Sequence, residues 1–89
     1  MADEQALPTS IAVKIFAPFK TYYESQAKSV SAVNATGPFD ILPGHKNFIT
    51  LLRACTIKVR QEGKEDFNLD IERAVMHVKA DKVVVFLDV

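Results

Sequence analysis

Two stretches in the second half of the chain alternate apolar and polar residues with a period of two, and a helix cannot accommodate that period. Cys55, Ile57 and Val59 alternate with Thr56, Lys58 and Arg60. Beyond Glu62-Gly63-Lys64, Phe67, Leu69 and Ile71 alternate with Asp66, Asn68 and Asp70. Successive side chains of a strand point to opposite faces, so each stretch reads as a strand with one dry side. An antiparallel pairing that keeps apolar opposite apolar sets Val59 against Phe67, Ile57 against Leu69 and Cys55 against Ile71. The same register predicts Arg60 opposite Asp66 on the wet face, joined by a loop of about three or five residues.

A second hairpin turns at Ala80-Asp81. A tight loop there pairs Val78 with Val83, Met76 with Val85 and Ala74 with Leu87. The opposite face then holds Val75, His77, Val84 and Phe86, so both faces are largely apolar. Antiparallel sheets usually wet one face. The expected resolution is that another part of the chain covers the second face; the alternative is that a partner docks on it.

The remainder reads the same way. Ile11 to Phe16 places Ile11, Val13 and Ile15 on one side and ends at Ala17-Pro18. Tyr22-Tyr23 is a short β-prone piece, Val30 to Val33 is strand-like, and Phe48 to Leu52 is a short apolar run. No stretch repeats apolar residues at helical spacing behind a cap. Residues 1–10 lack periodicity and read as a loose tail. Residues 11–89 read as one all-β domain, an antiparallel sandwich or barrel of about eight to ten short strands.

At 89 residues the chain can bury roughly 60–65% of its unfolded surface, enough for a thin core. Basic and acidic residues balance at 11 each, which argues against broad nucleic-acid binding. No run reaches the ~18 apolar residues of a spanning helix, and the start lacks a secretory pattern. A lone Cys55 makes no internal disulfide, so a reducing compartment is the default.

Reactive chemistry is hard to assemble from these residues. His45 and His77 have no ligand spacing between them or to Cys55. Cys55 is in phase with Ile57 and Val59, which predicts a buried, inert thiol. His45 follows a turn, where it either satisfies backbone groups or faces a partner. Glu65-Asp66 and Asp70-Ile71-Glu72 read as exposed partners of cross-strand pairs. Gly37 and Gly44 are too few for a phosphate cradle, and Tyr22 and Tyr23 lack the basic companions of a base-stacking surface. No catalytic, metal-binding or cofactor-binding residue is assigned.

The most specific segment is Gly37-Pro38-Phe39-Asp40-Ile41-Leu42-Pro43-Gly44-His45. Leu42 to His45 has the chemistry of a type II turn, with proline presetting φ and glycine supplying φ > 0. Gly37-Pro38 reads as a second break. This segment, followed by Phe48-Ile49-Thr50-Leu51-Leu52, resembles the epsilon subunit of the F-type rotary ATP synthases. That family carries G-x-(F/L)-G-(I/V)-(L/Y)-P-G-H and then an apolar run. The likeness extends from about residue 11 to the end. Ile11 to Ile15 is similar to the family's first strand, and Leu69 to Val78 and Lys82 to Asp88 to its last two. The differences are Ser25, Asp40 and Arg73-Ala74 in place of family glycines, and Arg53-Ala54-Cys55 in place of K-P-G.

The resemblance implies a flattened β-sandwich without catalysis or cofactor. It implies a rotor element on the cytoplasmic face of a bacterial inner membrane, clamping the gamma shaft to the membrane rotor ring without entering the membrane, and monomeric when isolated. The loop Thr36, Gly37, Pro38 and Phe39 is implied as ring-facing, with Asp40 a further interface candidate, and the side from His45 through Thr50 is implied to lie toward gamma. The apolar outer face of Val75, Val84 and Phe86 is a further interface candidate. The family continues with two C-terminal helices that regulate ATP hydrolysis. This sequence stops at Val89, so the expectation is a sandwich without that hairpin, shortened or naturally short, with no braking or ATP-sensing role. The alternatives are a stand-alone sandwich serving as an interaction module outside the synthase, and a small enzyme or ligand-binding barrel.

Overall fold

A computed structural model describes residues 9–87, so the tail expected over residues 1–10 lies almost wholly outside the described residues. Of that stretch, Ser10 donates to Gln26 Oε1 at 2.8 Å. The described residues form nine strands and no helix. In chain order these are β1 (Ile11–Ala17), β2 (Lys20–Ala27), β3 (Ser29–Asn34), β4 (Gly37–Ile41), β5 (Phe48–Leu52), β6 (Cys55–Arg60), β7 (Phe67–Ile71), β8 (Ala74–Lys79) and β9 (Lys82–Leu87). They hydrogen-bond in the order β2-β1-β9-β8-β5-β3-β6-β7, with β4 attached to β3.

The sheet curls so that its two ends meet. Tyr23 of β2 and Phe67 of β7 stack with ring centroids 5.0 Å apart. The Tyr23 hydroxyl lies 3.1 Å from Gln26 O and 3.0 Å from Gln61 Oε1, two acceptors that share its one proton. Side chains, not a backbone ladder, therefore seal the seam. Inside, alternate residues of β1, β6, β8 and β9 supply most of the core. Ile15, Ile57, Met76 and Val85 are completely buried, with Val13, Val30, Ile41 and Val78 beside them.

Both hairpin registers agree with the apolar-to-apolar rule. Val59, Ile57 and Cys55 face Phe67, Leu69 and Ile71. Val78, Met76 and Ala74 face Val83, Val85 and Leu87. Ala80 and Asp81 have φ of 51° and 62°, the two left-handed positions of a type I′ turn. The Leu42-Pro43-Gly44-His45 turn also forms as expected. His45 N donates to Leu42 O at 3.1 Å, and Gly44 has φ of 83°.

Five expectations need correction. The sheet is not wholly antiparallel, because β1 runs parallel to β9; the long path between them allows that pairing. Arg60 does not face Asp66. The β6–β7 ladder ends at Val59–Phe67, and Arg60 continues β6 only along its other edge, opposite Ser29 of β3, where its carbonyl accepts from Lys28 N at 2.7 Å; the loop therefore spans residues 61–66. Gly37-Pro38 does not break the chain but opens β4. The turn sits at Ala35-Thr36, with Asn34 opposite Gly37, and Pro38 is tolerated because β4 pairs only with β3. Cys55 is half-buried rather than buried, since it begins β6 at the rim. Among the described residues, nothing covers the second face of the β8–β9 hairpin: Val75 and Phe86 each remain 40% exposed.

Two stability outcomes follow. Ala80 sits in a left-handed conformation that asparagine tolerates better, so Ala80→Asn is expected to add about 0.5–1 kcal/mol in urea unfolding. Burial raises the Tyr23 pKa above the ordinary 10.0, against a smaller opposing hydrogen bond from Ser25. The folded chain thus holds a proton that the unfolded chain releases. The stability this gives is whole below pH 10.0 and is lost as pH rises through the folded value. Tyr23→Phe is expected to cost about 1 kcal/mol at neutral pH and to flatten the alkaline decline, both read from denaturation midpoints.

Candidate functional site

Two exposed regions emerge, and the strand registers define both. The first is the outward face of β5, β8, β9 and β1. Leu51 faces Val75, Val75 faces Phe86, and Phe86 faces Phe16, so four large apolar side chains form one row across four strands. One step along the strands, Ile49, His77, Val84 and Lys14 form the next row. Leu51 is 70% exposed and Ile49 66%. The Phe16 and Phe86 rings lie 5.1 Å apart, and Lys14 Nζ sits 5.0 Å above the Phe16 ring. A contiguous apolar patch of this kind on a small domain marks an interaction surface. A groove of about 690 Å³ continues it beyond Leu51 and Val75, between Arg53 and Glu72-Arg73.

The second region comprises the loops at the two ends of the body. At one end Asn34 Oδ1 accepts from Thr36 N at 3.0 Å and from Thr36 Oγ1 at 2.7 Å, an Asx turn that leaves Thr36 exposed. At the other end the Leu42–His45 corner is tied to the β8–β9 turn. Gly44 N donates to Asp81 Oδ1 at 2.7 Å, and Ala80 N donates to Asn47 Oδ1 at 3.0 Å.

The candidate residues distribute over these regions as follows. Val75, Val84 and Phe86 share the apolar face as neighbours in register. Thr36, Gly37 and Pro38 lie at the first end, where Gly37 has φ of 116°. Asp40 is exposed and accepts from Ser31 Oγ across β3 and β4. Phe39 is half-buried, edge-on to Phe48 at 6.0 Å. His45 is exposed at the far end. Its ring lies 5.0 Å from Phe48 and its Nδ1 lies 2.7 Å from Lys46 O. Thr50 is half-buried, with Oγ1 accepting from Asn34 Nδ2 at 3.1 Å. The structure thus separates Thr36 from His45 along the length of β4. Sequence reasoning missed Phe16, Ile49 and Leu51 as parts of the apolar face. Ile49 and Leu51 were legible as the second phase of a doubly apolar strand, but their neighbours are set by pairing with distant β8.

Comparison with known proteins agrees with this architecture. The family described as ATP synthase, Delta/Epsilon chain, beta-sandwich domain matches residues 10–89. The chain belongs to this family. An ATP synthase epsilon chain of Brevibacillus brevis is 25% identical over 80 residues, covering 90% of this chain and 61% of the relative. The chain therefore spans about three fifths of that relative's length. A chain of the Euglena gracilis mitochondrial ATP synthase, solved by cryo-EM as OSCP/F1/c-ring in rotational state 1, superposes with a TM-score of 0.85. Its identity is 16%, and the match covers 98% of this chain and 56% of that one. A chain of the Tetrahymena thermophila mitochondrial ATP synthase, central stalk/c-ring, gives 0.73 at 12% identity, over 92% and 66% of the two chains. These likenesses establish a shared fold. Among the described residues, no helix is long and apolar enough to cross a membrane.

The tie between the two turns gives a local test. Asp81→Gly keeps a residue that suits the type I′ turn and removes the acceptor for Gly44 N–H. Amide exchange is expected to speed up at Gly44 and to stay unchanged at the paired amides of β8 and β9.

Proposed function

We propose that the chain works as the sandwich of a central-stalk subunit in an F-type ATP synthase, joining the gamma shaft to the membrane rotor ring without reactive chemistry of its own. It would lie peripheral to the membrane, on the cytoplasmic side in a bacterium. The observation that carries this reading is the exposed row Leu51–Val75–Phe86–Phe16 on a sandwich that matches the delta/epsilon family over residues 10–89. A clamp acts through buried area, and a standard interface removes roughly 1,600 Å² from water. The apolar row supplies the centre of such an area. Ile49, within the segment implied to lie toward gamma, projects onto the same face. The other contact, to the ring, falls to the loop end at Thr36, Gly37 and Pro38, where the exposed Thr36 and the nearby exposed Asp40 supply polar groups that suit polar loops.

The test is binding to a cognate gamma subunit by calorimetry. The parent is expected to bind at micromolar strength or tighter. Val75→Asp and Phe86→Asp are expected to weaken binding at least about tenfold, since desolvated apolar centres dominate such contacts. Because both side chains are part-exposed, circular dichroism should report an intact fold. A parent that ignores gamma, or variants that bind as well as the parent, would remove the stalk reading in favour of a stand-alone interaction module.

A further inference from the structure

The apolar face is also a charge-segregated face. The sequence as a whole is neutral, with 11 basic and 11 acidic residues. Yet β1, β5, β8 and β9 contain no aspartate or glutamate at all. Their charged groups are Lys14, Lys79 and Lys82, with His77 between them. Glu62, Glu65, Asp66 and Asp70 lie away from this face, in and beside the β6–β7 hairpin, and three carboxylates border it without belonging to its strands: Glu24 on β2 opposite Lys14, Glu72 at the groove beside Leu51 and Val75, and Asp81 in the β8–β9 turn, where its Oδ1 accepts from Gly44 N. None of the three lysines makes an ion pair among the described residues.

One pair is unfavourable as it stands. Lys79 and Lys82 face each other directly across the ladder beside the β8–β9 turn, and both are exposed. Like charges directly opposite on adjacent strands repel. An anion laid across this rim turns that repulsion into attraction.

We propose that the outward face of β5, β8, β9 and β1 receives an acidic amphipathic helix of a partner protein. Its apolar stripe would sit on Leu51, Val75 and Phe86, and its carboxylates would reach Lys14, Lys79 and Lys82. The inference rests on the stalk reading for the identity of the face and adds the chemistry of what lands there. Four strands at about 4.8 Å spacing make a platform roughly 15 Å across, and a helix with side chains is about 10–12 Å wide. A helix also presents an apolar stripe flanked by charge, which matches an apolar row flanked by lysines.

Two synthetic helical peptides of about 18 residues test this, with the same leucine stripe and either glutamate or lysine flanks. The glutamate peptide is expected to bind the parent about tenfold tighter, with the preference shrinking at high salt. Lys82→Glu places opposite charges across the ladder at Lys79. It is therefore expected to raise the thermal midpoint while weakening the glutamate peptide about fivefold. Equal binding of the two peptides overturns the inference, as does unchanged peptide binding by Lys82→Glu, or capture by phosphatidylserine vesicles without any peptide preference. Peptide preference without gamma binding removes the stalk reading and leaves the acidic partner standing. Gamma binding without peptide preference does the reverse.

Discussion

The β8–β9 hairpin sits at the centre of the sheet and has hydrophobic residues on both sides. Its inward set, Ala74, Met76, Val78, Val83, Val85 and Leu87, lies within the core, all at 4% exposure or less. Both flanking strands take their register from it, β5 through β8 and β1 through β9. A slip of one residue would exchange the two faces and break both neighbouring ladders at once. The left-handed turn at Ala80-Asp81 prevents that slip locally, and the bonds from Gly44 to Asp81 and from Ala80 to Asn47 fasten it to the rest of the body. The exposed apolar row is thus not an independent decoration. It is the other side of the strands that the core requires.

How much could be read from the residues depended on how far apart the pairing partners lie. The β6–β7 and β8–β9 registers were legible because each joins neighbours, and the alternation leaves one sensible pairing. The Leu42–His45 turn was legible from Pro43-Gly44 alone. What escaped were distant contacts. The parallel β1–β9 pair and the pairing of β6 with β3 at Ser29–Arg60 depend on strands far apart in the chain. Period-two alternation says which face a side chain takes but not which strand lies beside it. For the same reason Val75, Val84 and Phe86 could be named as an outer face, whereas Phe16, Ile49 and Leu51 could not be joined to them. Family membership, by contrast, was carried by one short segment whose turn chemistry is unusually specific.

Interaction surface and core are built from the same few strands, so they are not free to vary separately. Val75 and Phe86 flank Met76 and Val85 along their strands, and a backbone shift that repacks one side moves the other. The ends of the body are less constrained. Thr36 is held by Asn34 within its own turn, and the His45 side chain by Phe48 and Lys46, so these two side chains are less tied to the central ladder than Asn34, which bonds Thr50, or Gly44, which bonds Asp81.

The curled sheet closes through the rings of Tyr23 and Phe67 and the Gln61 amide, since β2 and β7 share no backbone ladder. Along most of the sheet a strain on the body is opposed by rows of peptide hydrogen bonds acting together, thinning to the single pair Asn34–Leu52 between β3 and β5. Along the Tyr23–Phe67 line it meets no ladder, only stacked aromatics and a shared hydroxyl proton. A twisting load would therefore be taken up there first, as a carton yields along its glued edge, while the rest of the wall keeps its shape.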